Sequence, residues 1–208
     1  MSEPEARGAD LAEERADRGT REYATRERHA SRPGTGVQAG TREPLEWLNA
    51  LPAGDAEREL LACCGSQAWA GSVAAGRPYR DAAALKNACD RAFNALTWAD
   101  VEEALARHPR IGDRPRGVDR ASGWSRGEQA GVQGADRQVM RALHDGNLAY
   151  EERFGHVFLV CATGLTARRM LAALRERLGN DEAAERRTVR GELLKITHLR
   201  LDKLLERP

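Results

Sequence analysis

No apolar run in this chain approaches the roughly 18 residues that a membrane-spanning helix requires. The N-terminus is charged from Glu3, where a secretory leader would carry its apolar stretch. These absences point to a cytoplasmic protein with no membrane partner. Neither sign of charge is in excess: 33 Lys and Arg stand against 32 Asp and Glu. Such a balance gives little counterion-release drive, so nucleic acid is not an expected partner. Cysteine is scarce. Cys63, Cys64, Cys89 and Cys161 show no CxxC spacing, and the adjacent Cys63 and Cys64 are poorly placed to bridge or to share a metal. All four read as reduced core residues. His29 and His144 belong to no His-x-x-x-His or Cys/His cluster, so no metal is expected. Missing too are the Gly-x-Gly-x-x-Gly turn and the phosphate-binding Gly-Lys-Ser/Thr loop, and with them the usual dinucleotide and nucleotide signatures.

What is present divides the chain in two. Residues 1–42 hold many charged and small residues and few large apolar ones, a composition that cannot offset the entropy of ordering. A disordered charged tail is expected there, with at most a transient helix over 13–28. From Pro44 onward helical segments follow one another over 44–51, 55–63, 66–75, 81–96 and 97–107. Pro44 suits a first helical turn, and Asp55, Ser66, Asp81 and Thr97 are N-cap types. Further helices are expected over 125–133, 136–154, 166–178 and 181–205, with Gly179 as a stop between the last two. Outside the helical segments, Phe158, Leu159, Val160, Cys161 and Ala162 form a continuous apolar run of strand length, and periodicity leaves it open between strand and buried helix. One strand makes no sheet. The expected fold class is therefore all-α, a single helical domain over 43–206 whose longest connection is the loop 108–123.

Three places carry potential chemistry. His108 stands at a helix exit enforced by Pro109, where it suits either acid/base work near neutral pH or simple complementation of the helix dipole. Ser125 and Glu128 have capping-box spacing, and a helix start also offers free N–H groups to a carbonyl or anionic ligand. In the last segment Val189, Leu193, Ile196, Arg200 and Leu204 line one helical face. A guanidinium on that stripe either finds a carboxylate, from the protein or a ligand, or snorkels to water.

Taken in order, several motifs resemble one family. They are His108-Pro109-Arg110-Ile111-Gly112, the segment from Ser125 to Gln129, Tyr150 with Phe154-Gly155 and the 158–162 run, and Lys195-Ile196-Thr197-His198-Leu199-Arg200-Leu201; Cys63-Cys64-Gly65-Ser66 and Trp69 add to them. The chain is similar to 2-oxo-4-hydroxy-4-carboxy-5-ureidoimidazoline (OHCU) decarboxylases over nearly all of 44–206. That resemblance implies an all-helical homodimer forming (S)-allantoin in urate breakdown, with no metal or organic cofactor. It implies His108 and Glu128 as catalytic residues. Pro109, Ser125, Arg126, Gly127, Gln129, Phe158, Leu159, Val160, Cys161, Ala162 and Arg200 are the implied substrate contacts. One departure stands out: the family often carries an aromatic and then a proline after Phe-Gly, where this chain has His156 and Val157, so His156 either reaches the site or fills a structural position. The competing reading from another class is a helical interaction module, which predicts that His108, Glu128 and Arg200 face separate surfaces.

Overall fold

The computed structural model of the chain describes residues 44–113 and 118–206. Every regular element among them is helical: α1 Pro44–Ala50, α2 Ala53–Cys64, α3 Gln67–Ala75, α4 Ala82–Asn94, α5 Trp98–Leu105, α6 Arg120–Glu128, a 3₁₀ turn at Ala130–Val132, α7 Arg137–Phe154, α8 Ala167–Arg177 and α9 Glu182–Leu205. The all-α expectation is borne out. The expected tail over 1–42, with its transient helix, lies outside the described residues.

Cap chemistry sets most helix starts. Ser66, Asp81, Thr97, Asp136, Thr166 and Asp181 each accept a backbone N–H of the turn that follows, and Thr97 with Asp100 closes a full capping box. Two starts differ from expectation. Asp55 lies inside the first turn of α2, which begins after Pro52. More consequentially, α6 begins after Asp119, whose carboxylate accepts from the Ser122 N–H, so the helix expected from Ser125 starts five residues earlier. Ser125 lies inside that helix and Glu128 is its last residue. Their i, i+3 spacing makes a shared face, not a cap, and the Ser125 N–H is no free helix-terminus donor.

Two apolar clusters form the core. The first gathers the inner faces of α1 to α5 and α9, including Leu48, Leu60, Trp69, Leu85, Phe93, Val101 and Leu193; the second joins α7 and α8 through Leu143, Tyr150, Met170 and Leu174. The Trp69 indole N–H finds the Cys89 carbonyl at 3.1 Å, so its ring is buried without an orphaned donor. Between the clusters runs the apolar segment 157–162, which is neither strand nor helix. Val157, Leu159 and Cys161 pack on the first cluster, and Phe158, Val160 and Ala162 belong to the second. That alternation is the geometry of an extended chain buried on both sides, which is why no polar residue interrupts it. With no neighbouring strand, side chains satisfy its backbone: Arg177 Nη1 donates to the Leu159 carbonyl at 2.6 Å, and Glu192 Oε2 accepts from the Cys161 N–H at 2.7 Å.

The stripe on α9 is as expected. Val189, Leu193, Ile196, Arg200 and Leu204 are all buried, and Glu185 extends the row one turn earlier. Among the described residues no helix is long and apolar enough to cross a membrane, and no three His, Cys, Asp or Glu side chains gather as a metal site.

Candidate active site

His108 follows the last turn of α5 and is 8% exposed. Its Nδ1 lies 2.9 Å from the Ala104 carbonyl, which can only accept, so the ring proton is assigned to Nδ1. Nε2 keeps its lone pair and is buried without a hydrogen-bond partner. Burial first, and then the Arg200 charge, push the imidazole pKa down to about 4 against the opposing pull of Ala104 and Glu128. At neutral pH this is an uncharged ring with one nitrogen fixed and the other open.

Gly65 lies against the carbonyl that fixes it. The residue caps α2 at φ 91°, and a Cβ there would stand 3.1 Å from the Ala104 oxygen. The Cys-Cys-Gly-Ser motif therefore has a physical reason: only glycine takes this conformation without strain, and only glycine allows α5 this close. Gly65→Ala is expected to lower stability by about 1–2 kcal/mol from the left-handed backbone alone, read as a lower urea midpoint at unchanged m.

Opposite His108, α6 presents Ser125, Glu128 and Gln129, each no more than 8% exposed. Arg200, 3% exposed, meets them from α9. Its Nε and Nη2 clasp the two oxygens of Glu128 at 3.0 and 2.8 Å, and Nη2 also donates to Ser125 Oγ at 2.9 Å. Lys203, one turn on, adds a bond to Glu128 Oε1 at 3.2 Å. Burial pushes the Glu128 carboxyl up, but the bonds and charges of Arg200 and Lys203 outweigh it and hold the group below the usual carboxylate range. Glu128 is thus an anion whose Oε1 is doubly engaged and whose Oε2 retains a free lone pair. The tautomer of His108 is set by Ala104, not by Glu128. Gln129 works on the loop after His108: its Oε1 accepts from the Gly112 N–H at 2.9 Å and its Nε2 donates to the Arg110 carbonyl at 3.3 Å. Asn147 secures the same loop through the Ile111 carbonyl at 3.0 Å.

These groups enclose a small inner chamber of about 20 Å³, with Leu159, Val160, Ala162, Thr163, Ile111 and Ile196 as its remaining walls. His108, Pro109, Ser125 and Arg200 also border an outer cleft of about 490 Å³. The structure therefore brings together His108, Pro109, Ser125, Glu128, Gln129, Leu159, Val160, Ala162 and Arg200. Four expected contacts fall elsewhere. Arg126 and Gly127 occupy the exposed face of α6, a consequence of their being interior helix residues one and two positions past Ser125. Phe158 is buried in the second cluster, and Cys161 packs against the first. His156 does not border the chamber; it packs in an aromatic box with Trp98, Tyr150 and Phe154, and its Nδ1 lies 3.1 Å from the Val157 carbonyl. Lys203, Thr163 and the anchor on Ala104 are not among the residues the sequence motifs point to. Lys203 lies one turn beyond Arg200, so the spacing of three was its available signal.

The family model for OHCU decarboxylase matches residues 49–202. The chain belongs to the OHCU decarboxylase family. That makes it a member of a lyase family, as the motif order implied. A 2-oxo-4-hydroxy-4-carboxy-5-ureidoimidazoline decarboxylase of Amia calva is 33% identical over 141 residues, covering 67% of this chain and 81% of that protein. The uric acid degradation bifunctional protein TTL of Arabidopsis thaliana is 32% identical over 151 residues, 71% of this chain but only 47% of the plant protein. This chain thus spans about half of the plant relative's length. Among solved structures, an OHCU decarboxylase crystallised in the presence of (S)-allantoin superposes with a TM-score of 0.62 at 32% identity, covering 72% of this chain and 98% of that one.

Proposed function

We propose that this protein decarboxylates 2-oxo-4-hydroxy-4-carboxy-5-ureidoimidazoline to (S)-allantoin in urate degradation. The observation that carries the reading is His108 Nε2: a buried, unpartnered lone pair on a neutral, tautomer-fixed ring, bordering a chamber closed by an Arg200–Glu128 pair. A helical interaction module has no use for such a convergence.

The substrate carries its carboxylate on a carbon that also bears a hydroxyl, beside a ring C=N bond. When the carbon–carboxylate bond breaks, its electron pair passes into that C=N, and the ring nitrogen takes one proton from solvent. Carbon dioxide leaves an enol. His108 Nε2 accepts the enol hydroxyl proton, the carbonyl forms, and the same nitrogen returns the proton to the neighbouring ring carbon from one side. Burial is the main cause of the depressed imidazole and the Arg200 charge the second; an anionic substrate offsets the second. Glu128 Oε2 accepts from the substrate hydroxyl and orients it. Arg200, already neutralised by Glu128, positions the anion without clamping its carboxylate, which would stabilise the ground state and oppose decarboxylation. Pro109 and Ser125 border the substrate, Gln129 holds the loop beneath it, and Val160 offers its backbone N–H and C=O to ring and ureido amides.

The test generates substrate from urate with the two preceding enzymatic steps and follows product chirality by circular dichroism. Rapid (S)-allantoin with the protein, against slow racemic product without it, is the expected result. Equal racemic product in both sinks the proposal. The reading includes a cytoplasmic homodimer working without metal or organic cofactor, which light scattering and activity after chelator treatment check.

A further inference from the structure

Leu159 lines the chamber, and its carbonyl is held by a residue remote from the reacting groups. Arg177, in the last turn of α8, is 6% exposed. Its Nη1 reaches Leu159 O, while Nε and Nη2 donate to Glu185 Oε1 at 2.8 and 2.5 Å. Glu185 is fully buried at the start of the α9 stripe. It also accepts the Tyr150 hydroxyl on Oε1 and Asn180 Nδ2 on Oε2, the latter at 2.7 Å. The guanidinium carbon lies 4.7 Å from the Phe158 ring centroid. Burial raises the Glu185 pKa, and the bonds from Arg177, Tyr150 and Asn180 more than reverse it, so the pair is charged.

A buried ion pair is a weak source of net stability, and apolar side chains of similar volume often serve as well. An apolar pair cannot donate to the Leu159 carbonyl. In an extended chain, backbone groups of alternate residues share an edge. Arg177 on Leu159 and Glu192 on Cys161 thus take the groups of one edge and leave those of Val160 for the other. We propose that Arg177, aimed by Glu185, is a positioning residue that sets the placement of Leu159 and Val160 against the substrate. This inference rests on the chamber and the adjoining outer cleft together forming the substrate pocket.

Arg177→Lys and Glu185→Gln test it in the full-length protein. Lysine keeps the charge as a single point donor and cannot hold Glu185 and Leu159 in one fork. Glutamine keeps shape and loses charge, so Arg177 is aimed less firmly. Both variants are expected to raise KM for the ureidoimidazoline by about tenfold or more, with a smaller change in kcat. Amide exchange in the peptide covering 158–162, read by mass spectrometry, should accelerate by about tenfold relative to flanking helices. A purely architectural pair would lower the melting temperature while leaving KM of the folded enzyme and local exchange unchanged; that result in either folded variant overturns the proposal. Should Arg177→Lys not fold, Glu185→Gln decides. If the unmodified protein makes no (S)-allantoin, the functional reading fails, whereas unchanged exchange at 158–162 is the separate failure of the positioning claim.

Discussion

Exchanging His108 for asparagine is expected to lower kcat/KM for OHCU by about 10²–10⁴-fold, the usual contribution of a positioned acid/base group, with the helical far-UV signal unchanged. Asparagine is the informative choice. Its amide N–H can keep the bond to the Ala104 carbonyl, and it has no counterpart to Nε2, so proton transfer is removed while the helix end is preserved. The pH profile tests the same point. Because the neutral ring is the base and its pKa is about 4, kcat/KM of the native enzyme should hold through pH 6 and fall only as pH drops toward 4. An acid limb near the ordinary histidine value of 6.5 in the free enzyme would contradict the buried neutral ring.

The same depression links folding to pH. Between the unfolded value of 6.5 and the folded value of about 4, the unfolded chain binds more protons at this site. Stability due to His108 is therefore intact above 6.5 and declines as pH falls through that window, by roughly 3 kcal/mol at its full extent. Urea titrations at pH 8 and pH 5 should show a smaller pH-dependent loss in His108→Asn than in the native protein.

Glu128→Ala should be the most damaging single change to folding, destabilising by about 3–5 kcal/mol because it strands the 3%-exposed Arg200 guanidinium with only Ser125 and the distant Ala62 carbonyl as partners. Activity should disappear with it. A double variant, Glu128→Leu with Arg200→Met, removes both charges and fills the space, so it should recover most of the melting temperature and none of the catalysis. Recovery of (S)-allantoin formation in that double variant would show that the pair has no part in the chemistry.

Cap residues, the apolar stripe and Arg200's place on it were legible in the sequence because each depends on contacts within one helix. Ser125 and Glu128 stand out in the sequence for a local reason that the fold does not use. Their spacing fits a cap, but Asp119 with Ser122 competes for the same role, and only Arg200 arriving from 72 residues away makes them a face. Neither backbone nor side-chain pattern could reveal that Phe158 and Cys161 point away from the chamber, since an apolar run buried on both sides shows no alternation. Glu185 left a readable trace, four residues before Val189 and in phase with the stripe. Its partner Arg177 left none, because a basic residue in a last helical turn is what the dipole alone would favour.

Helix α9 contributes Glu185 to the Arg177 pair, Glu192 to the Cys161 N–H, and Arg200 with Lys203 to the Glu128 carboxylate. One rod thus carries three separate attachments at fixed phase. Inserting a single residue between Glu192 and Arg200 would turn everything beyond it by about 100° and advance it by about 1.5 Å, taking Arg200 off Glu128 while Glu185 stayed in place. Loops elsewhere in the domain can lengthen without such loss of registry. Among descendants of this chain, changes of length should accumulate in connections remote from the chamber, such as 133–135, and be absent from 185–203.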